Sequence, residues 1–242
     1  MKGPDFLGIG AQKSGTTWIY ENLSLHPKVS FPAGKEVHFW DAGRDRGVDW
    51  WMDQFGPRQP GIRKGEITPA YSFIATDVIR ELHGLCPDLR LFYVLRNPVE
   101  RAWSAARMAV LRAEMTLEEA SEQWFLDHFR SAGSRRRGAY AEAIGRWRSA
   151  FPAEQLLIVF FDDLRERPRE FLSRLCDHIG VDGRAYDATS DEALQRAVFR
   201  GPEAPLPPRL RRDLINLYRA PVEELGHVLG VDLSHWLAEP VT

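Results

Sequence analysis

The stretch Phe6–Thr17, FLGIGAQKSGTT, holds the clearest chemistry in the chain. An apolar run opens into a loop in which Gly10 and Gly15 flank four residues, and Thr16-Thr17 close it ahead of a helix-like segment. Glycines at this spacing let backbone N–H groups approach a phosphate, and a helix that starts at once adds free donors and the positive end of its dipole. In the nucleotide-triphosphatase loop the second glycine is followed by Lys and then by Ser or Thr. Here Thr17 keeps the hydroxyl position, Thr16 stands where that lysine belongs, and Lys13 lies inside the loop. Ser14, Thr16 and Thr17 offer hydroxyl donors, and Lys13 offers a positive charge able to follow an oxygen as negative charge grows on it. The displaced lysine indicates a relative of that fold whose donor carries a different terminal group.

A second anion site is readable in LFYVLRNPVERAWSAARM, where Arg96 leaves a buried strand and Pro98 opens a helix. Ligands of open parallel sheets gather at the carboxyl ends of the strands, and a fixed guanidinium fork there suits a phosphate. Ser104 lies eight residues further on, about two helical turns, where its hydroxyl can reach the same anion. An ATP-dependent kinase or ATPase is the competing reading, because LLIVFFDD ends a hydrophobic strand on Asp162, the place of a magnesium-positioning acid. The misplaced lysine argues against it.

These residues need a scaffold of strands and helices. Runs at Phe6–Gly10, Leu91–Leu95 and Leu156–Phe161 have strand length, and helical periodicity fills the segments between them. Helices are expected near Thr17–Leu25, Thr76–Leu82, Val99–Arg112, Leu117–Phe129, Tyr140–Ala150, Pro168–Ile179, Pro207–Tyr218 and Val222–Leu229. The alternation predicts an α/β fold, a central parallel sheet flanked by helices. At 242 residues and 44% hydrophobic, the chain is expected to form a single domain over 1–242 with a substantial core. Asp182–Pro208 reads as a long surface loop and the best candidate for a mobile lid.

Composition narrows the partners. With 32 basic and 34 acidic residues and a net charge of −2, no general polyanion surface is expected, so nucleic acid is not a predicted partner. MKGPDFLGIGAQ lacks an apolar core of signal-peptide length and no segment reaches membrane-span length, which predicts a cytoplasmic protein. Cys86 and Cys176 have no paired spacing and read as core thiols, so neither a disulfide nor a metal site is expected.

Two motifs carry a family resemblance. Lys13-Ser14-Gly15-Thr16-Thr17-Trp18 resembles the 5′-phosphosulfate loop of sulfotransferases that use 3′-phosphoadenosine 5′-phosphosulfate (PAPS), and Leu95-Arg96-Asn97-Pro98-Val99-Glu100-Arg101-Ala102-Trp103-Ser104 resembles their 3′-phosphate site. The resemblance continues through Lys35–Trp40 (KEVHFW), Glu66–Tyr71 (EITPAY), Gly138-Ala139-Tyr140 with Trp147 and Phe151, and the Leu156–Pro168 strand and helix entry. The KExHF pattern is closer to the heparan-sulfate and bacterial branch than to the cytosolic phenol and steroid branch. The resemblance implies a P-loop-like fold, PAPS as donor, PAP as product, transfer without a metal, and a structural role for Asp162. A PAPS binder needs two separated anion clamps, and this chain has two. A non-catalytic PAP-binding module is the second alternative.

On the acceptor side, transfer to an alcohol needs a base within hydrogen-bond reach of the hydroxyl. Glu36 is the first candidate, since its place after Val29–Phe31 with Lys35 and His38 beside it resembles the glutamate base of the heparan-type enzymes. His38 is the second, because a neutral imidazole can also accept the proton. Lys13 would neutralise the oxygen bridging phosphate and sulfur as PAP departs. The implied acceptor is a hydroxyl on a small molecule, lipid or sugar. Two departures stand out: Ile67 occupies a position where many heparan-type members carry lysine, and the family's Lys-Gly-Arg nucleotide loop has only Phe199-Arg200-Gly201 as a stand-in. The cluster Trp40, Trp50, Trp51 and Phe55 is expected to be packing under a loop, and Arg135-Arg136-Arg137 a solvated basic turn.

Overall fold

A computed structural model of the chain describes residues 3–195 and 204–238; Phe199-Arg200-Gly201 lie outside the described residues. Strands β1 (Phe6–Gly10), β2 (Val29–Ser30), β3 (Arg63–Ile67), β4 (Arg90–Leu95) and β5 (Leu156–Phe160) form one parallel sheet in the order β2-β3-β1-β4-β5. The α-helices, in chain order, are α1 (Thr16–Ser24), α2 (Phe39–Ala42), α3 (Val48–Phe55), α4 (Thr76–Leu85), α5 (Pro98–Arg112), α6 (Glu122–Arg130), α7 (Ala132–Gly138), α8 (Tyr140–Arg148), α9 (Phe161–Glu166), α10 (Pro168–Ile179), α11 (Asp191–Gln195) and α12 (Pro208–Leu229). The expected α/β class holds. The chain divides into two compact units, Met1–Leu95 with Gly145–Phe199 and Arg96–Ile144 with Arg200–Thr242.

The first unit contains the sheet. Every residue of β1 is buried, as are Leu91–Leu95 of β4, because helices cover both faces and leave no polar alternation. On one face Phe6, Phe92, Val94 and Val159 pack with Ile19 and Leu23 of α1 and with Phe171, Leu172 and Leu175 of α10. Successive strand residues point to opposite faces. Ile67 therefore joins that core while Glu66 turns to the other side, toward α3.

There the aromatic run forms a second packed cluster. Phe39–Trp40, Trp40–Trp51 and Trp51–Phe55 have ring centroids 4.9, 5.1 and 5.3 Å apart, all in edge-on contact. Trp40, Trp51 and Phe55 are buried as expected, whereas Trp50 is half-buried and carries the Arg46 guanidinium 4.6 Å above its ring.

Sequence patterning misses β2 and β3 for a physical reason. RKGEI looks like a polar loop, yet Lys64 is buried with its ammonium donating to the Phe55 and Pro57 carbonyls at 2.8 and 2.6 Å. The stretch expected as a lid is likewise pinned through its described part. Arg169 donates to the carbonyls of Tyr186 and Thr189 and pairs with Asp191, and the Trp18 indole donates to Leu194 O at 2.8 Å.

The second unit is helical. The helix expected from Leu117 begins only at Glu122, where Ser121 accepts from the Trp124 amide at 3.1 Å as its N-cap. Two expected helices fuse into α12, with Pro221 inside it. The buried stripe Leu210, Leu214, Tyr218, Val222 and Leu225 runs through the proline and outweighs the one hydrogen bond it removes.

Candidate functional site

The phosphate loop sits beyond the C-terminal end of β1, the central strand of the sheet. The Ala11 amide donates to Val94 O at 3.0 Å, tying the loop to β4. Gly15 is the N-cap of α1 with φ +79°, and no side chain caps the helix, so its first-turn amides face outward for an anion. A Cβ at Gly15 would stand 2.9 Å from Leu164 Cδ1 and 3.1 Å from the Phe161 ring, so geometry and conformation both require glycine. Ser14 is fully buried and its hydroxyl has no hydrogen-bond partner among the described residues. A buried polar atom left this way is costly unless a ligand completes it. Thr16 is buried and Thr17 half-buried in the first turn of α1. Trp18 is placed apart from its loop neighbours, with its ring edge-on to Phe171 in the core, where it seats α1.

Glu36 and His38 lie in the turn that follows β2. The Glu36 amide donates to Ile67 O at 3.1 Å, which anchors this turn beyond the end of β3, the strand paired with β1. The two candidate bases and the phosphate loop thus occupy the same edge of neighbouring parallel strands. Their side chains are 43% and 44% exposed, enough to meet an acceptor. Glu36 pairs with Lys35. His38 Nδ1 lies 2.9 Å from Asp41 Oδ2, and its Nε2 lies 3.7 Å from Glu36 Oε2. Asp41 accepting from Nδ1–H fixes the ring and leaves Nε2 on the Glu36 side.

Backbone strain marks the same residues. Four non-glycine residues among those described have φ in the left-handed region, and three of them are Lys13 (+69°), Glu36 (+62°) and His38 (+56°). Such conformations cost free energy and gather where a site needs a side chain aimed in one direction.

Behind this turn stands a buried group that the motif reading leaves without a role. Glu66 is fully buried and accepts from the Trp51 indole at 3.3 Å, and burial raises its pKa to about 7. The Tyr71 hydroxyl beside it accepts from the amides of Phe39 and Trp40, at 3.0 and 3.5 Å. Tyr71 is itself pushed up by burial and by Glu66. In the sequence, only the spacing of three residues between His38 and Asp41 points to any of these partners.

The second unit carries Arg96 and Ser104. Asn97 caps α5 by accepting from the Val99 amide at 2.9 Å and donates to Trp236 O at 2.9 Å. This holds Arg96 just outside the helix, where Nη2 pairs with Glu100 at 3.2 Å and the Tyr140 hydroxyl donates to the Arg96 carbonyl at 2.9 Å. Ser104 is half-buried two turns along α5. Arg101, unnoticed in the sequence, is fully buried and donates to Ser134 O at 3.1 Å and to the Tyr218 hydroxyl at 3.3 Å, joining α5 to α7 and α12. The arginine run forms the last turn of α7, directly before α8; Arg135 and Arg136 are exposed to solvent as expected, and the helix dipole there favours cations. Asp162 opens α9. Among the described residues no group of His, Cys, Asp and Glu could hold a metal ion.

A family model described as "Sulfotransferase domain" matches residues 3–200. The chain belongs to the sulfotransferase family. The chain is 33% identical over 181 residues to mouse heparan sulfate glucosamine 3-O-sulfotransferase 6, covering 74% of the chain and 52% of the relative. It is 30% identical to human heparan sulfate glucosamine 3-O-sulfotransferase 3B1, covering 74% of the chain and 46% of the relative. The chain thus spans about half the length of these curated relatives. Its fold is that of the sulfotransferase from Alicyclobacillus acidocaldarius, with a TM-score of 0.76 at 24% identity over 98% of this chain and 100% of that one. A mouse sulfotransferase complexed with PAP shares the fold at a TM-score of 0.58 and 14% identity, over 94% and 88% of the two chains. The family does not favour the ATP-dependent kinase or ATPase alternative. No helix among the described residues is long and apolar enough to cross a membrane.

Proposed function

We propose that this sulfotransferase, with residues 1–242 working as one catalytic domain, moves a sulfuryl group from PAPS to a hydroxyl acceptor. The observation that carries the reading is the strain pattern: Lys13 from the donor loop and Glu36 and His38 from the neighbouring turn share a backbone conformation that side chains rarely adopt.

The donor supplies an activated sulfuryl group on a phosphate leaving group. The orphaned Ser14 hydroxyl, the open amides of α1 and the missing Cβ of Gly15 fit the 5′-phosphosulfate. Lys13, Thr16 and Thr17 complete that clamp, and Trp18 keeps α1 seated. Arg96 and Ser104 bind the 3′-phosphate, a reading that rests on their motif. Glu36 takes the proton of the acceptor hydroxyl as the new sulfur–oxygen bond forms on the face opposite the breaking one, while Lys13 neutralises the departing bridging oxygen. His38, oriented by Asp41, stands beside Glu36 as the second candidate base. No step needs a metal.

The acceptor is a hydroxyl on a small molecule, lipid or sugar. A saccharide comes first for testing because the relatives are named for a glucosamine hydroxyl. A cytoplasmic location belongs to the same proposal. The test is a thermal-shift comparison of PAP, AMP and ATP, followed by an acceptor screen with radiolabelled PAPS. Stabilisation by PAP well above AMP and label transfer to an alcohol are expected; equal shifts and no transfer would oppose the proposal.

A further inference from the structure

Glu66 belongs to no clamp and touches no exposed surface, yet it sits under the turn that carries both candidate bases. A carboxyl buried this completely is costly, and a hydrophobic residue would fill β3 better. Its surroundings explain what it does. A phenol has one proton and two acceptor sites. The amides of Phe39 and Trp40, which open α2 directly after His38, occupy the oxygen of Tyr71 as donors at 3.0 and 3.5 Å. Glu66 and Thr68 are the polar side chains beside that hydroxyl, and the Trp51 indole donates to Glu66 at 3.3 Å.

We infer that Glu66 is a positioning residue for the Glu36–His38 turn: as a carboxylate it draws the Tyr71 proton, and the Tyr71 oxygen then holds the Phe39 and Trp40 amides that set His38. Hydrogen bonds in such a chain strengthen one another, and a charged acceptor gives the strongest of them. The other Glu66 oxygen, Oε2, has no hydrogen-bond partner among the described residues, so a proton added there gains no acceptor. Protonation removes the charge-assisted bond and loosens the turn without breaking the fold. The charged and titratable groups facing Glu66 are His38 and Asp41 from the α2 side, of opposite effect, and Tyr71 from the turn after β3. Lys64, on the same face of β3, gives its ammonium to two carbonyls. The paired residue on β1 is Leu7, which carries no charge. Burial brings the Glu66 transition to about 7, inside the physiological range.

The catalytic meaning of this switch rests on the proposed roles of Glu36 and His38, but its structural part can be tested without turnover. Amide NMR of the whole chain across pH 5.5–8.5, with Trp51 and Phe39 assigned, reads both ends of the relay. In the wild type the Trp51 indole and Phe39 amide signals should move together through one midpoint near 7. Glu66→Gln should abolish that shared transition, and Tyr71→Phe should leave the Trp51 response while removing the matching Phe39 response. The inference is overturned if Phe39 keeps the Trp51 midpoint in Glu66→Gln, or stays flat in the wild type while Trp51 titrates. Should Glu66→Gln not fold, the wild type and Tyr71→Phe decide. An intact relay in a protein that transfers no sulfuryl group would defeat the proposed function and leave this inference standing.

Discussion

His38 presents Nδ1 to the carboxylate of Asp41 at 2.9 Å, and this pairing turns its other ring nitrogen toward Glu36, 3.7 Å away. Asp41 lies in the short α2, so a helical spacing of three residues sets the orientation of a ring whose own backbone is strained. Replacing Asp41 by Asn keeps the shape and removes the charge. The expected result is a roughly tenfold fall in kcat with little change in KM for PAPS. Steady-state kinetics on the acceptor found by screening would show it, and an unchanged kcat would remove Asp41 from the account.

Glu66 carries a pH prediction for stability. Its folded pKa of about 7 lies above the ordinary value of 4.5, so between these values the folded chain holds a proton that the unfolded chain releases. Stability therefore declines as pH rises through that window, by up to about 3 kcal/mol. Glu66→Gln should flatten the decline and melt higher than the wild type at pH 8, while its kcat falls. Calorimetry at pH 5 and pH 8 checks the sign; a variant less stable than wild type at both would contradict it.

Gly15→Ala tests the donor loop. The new methyl would meet Leu164 and Phe161 at 2.9 and 3.1 Å, in a backbone conformation with φ +79°. A cost of about 1–3 kcal/mol in stability is expected, together with loss of the thermal shift given by PAP. If PAP stabilises Gly15→Ala as much as wild type, the loop is not the phosphate clamp.

Arg96 should decide between nucleotides. Losing a charge-assisted bond to a phosphate costs about 1.5–3 kcal/mol, roughly ten- to hundredfold in affinity. Arg96→Ala should therefore bind PAP that much more weakly and bind AMP as before. Calorimetric titration with both nucleotides settles the matter, and an equal loss for the two would move the 3′-phosphate elsewhere.

Local pattern made the phosphate loop, β4 and the entry to α5 legible, because a buried parallel strand reads as a continuous apolar run and glycine spacing reports close backbone approach. β3 stayed hidden because Lys64 and Glu66 are buried polar residues whose partners come from distant segments: Phe55, Pro57, Trp51 and Tyr71. The α12 segment reads as two helices because Pro221 is a local breaker, and the burial that overrides it is tertiary. Glu36 and His38 stand in a legible motif, but their strain, the Asp41 contact and the Tyr71 support exist only in three dimensions.

The most direct measurement is label transfer from radiolabelled PAPS to an acceptor panel by wild type and Glu36→Gln, with PAP binding followed in parallel. The account predicts a labelled acceptor with the wild type, a drop of about 10²–10⁴-fold in rate with Glu36→Gln, and equal PAP binding by the two. Transfer at the wild-type rate by Glu36→Gln would contradict it, as would no transfer by a wild type that binds PAP.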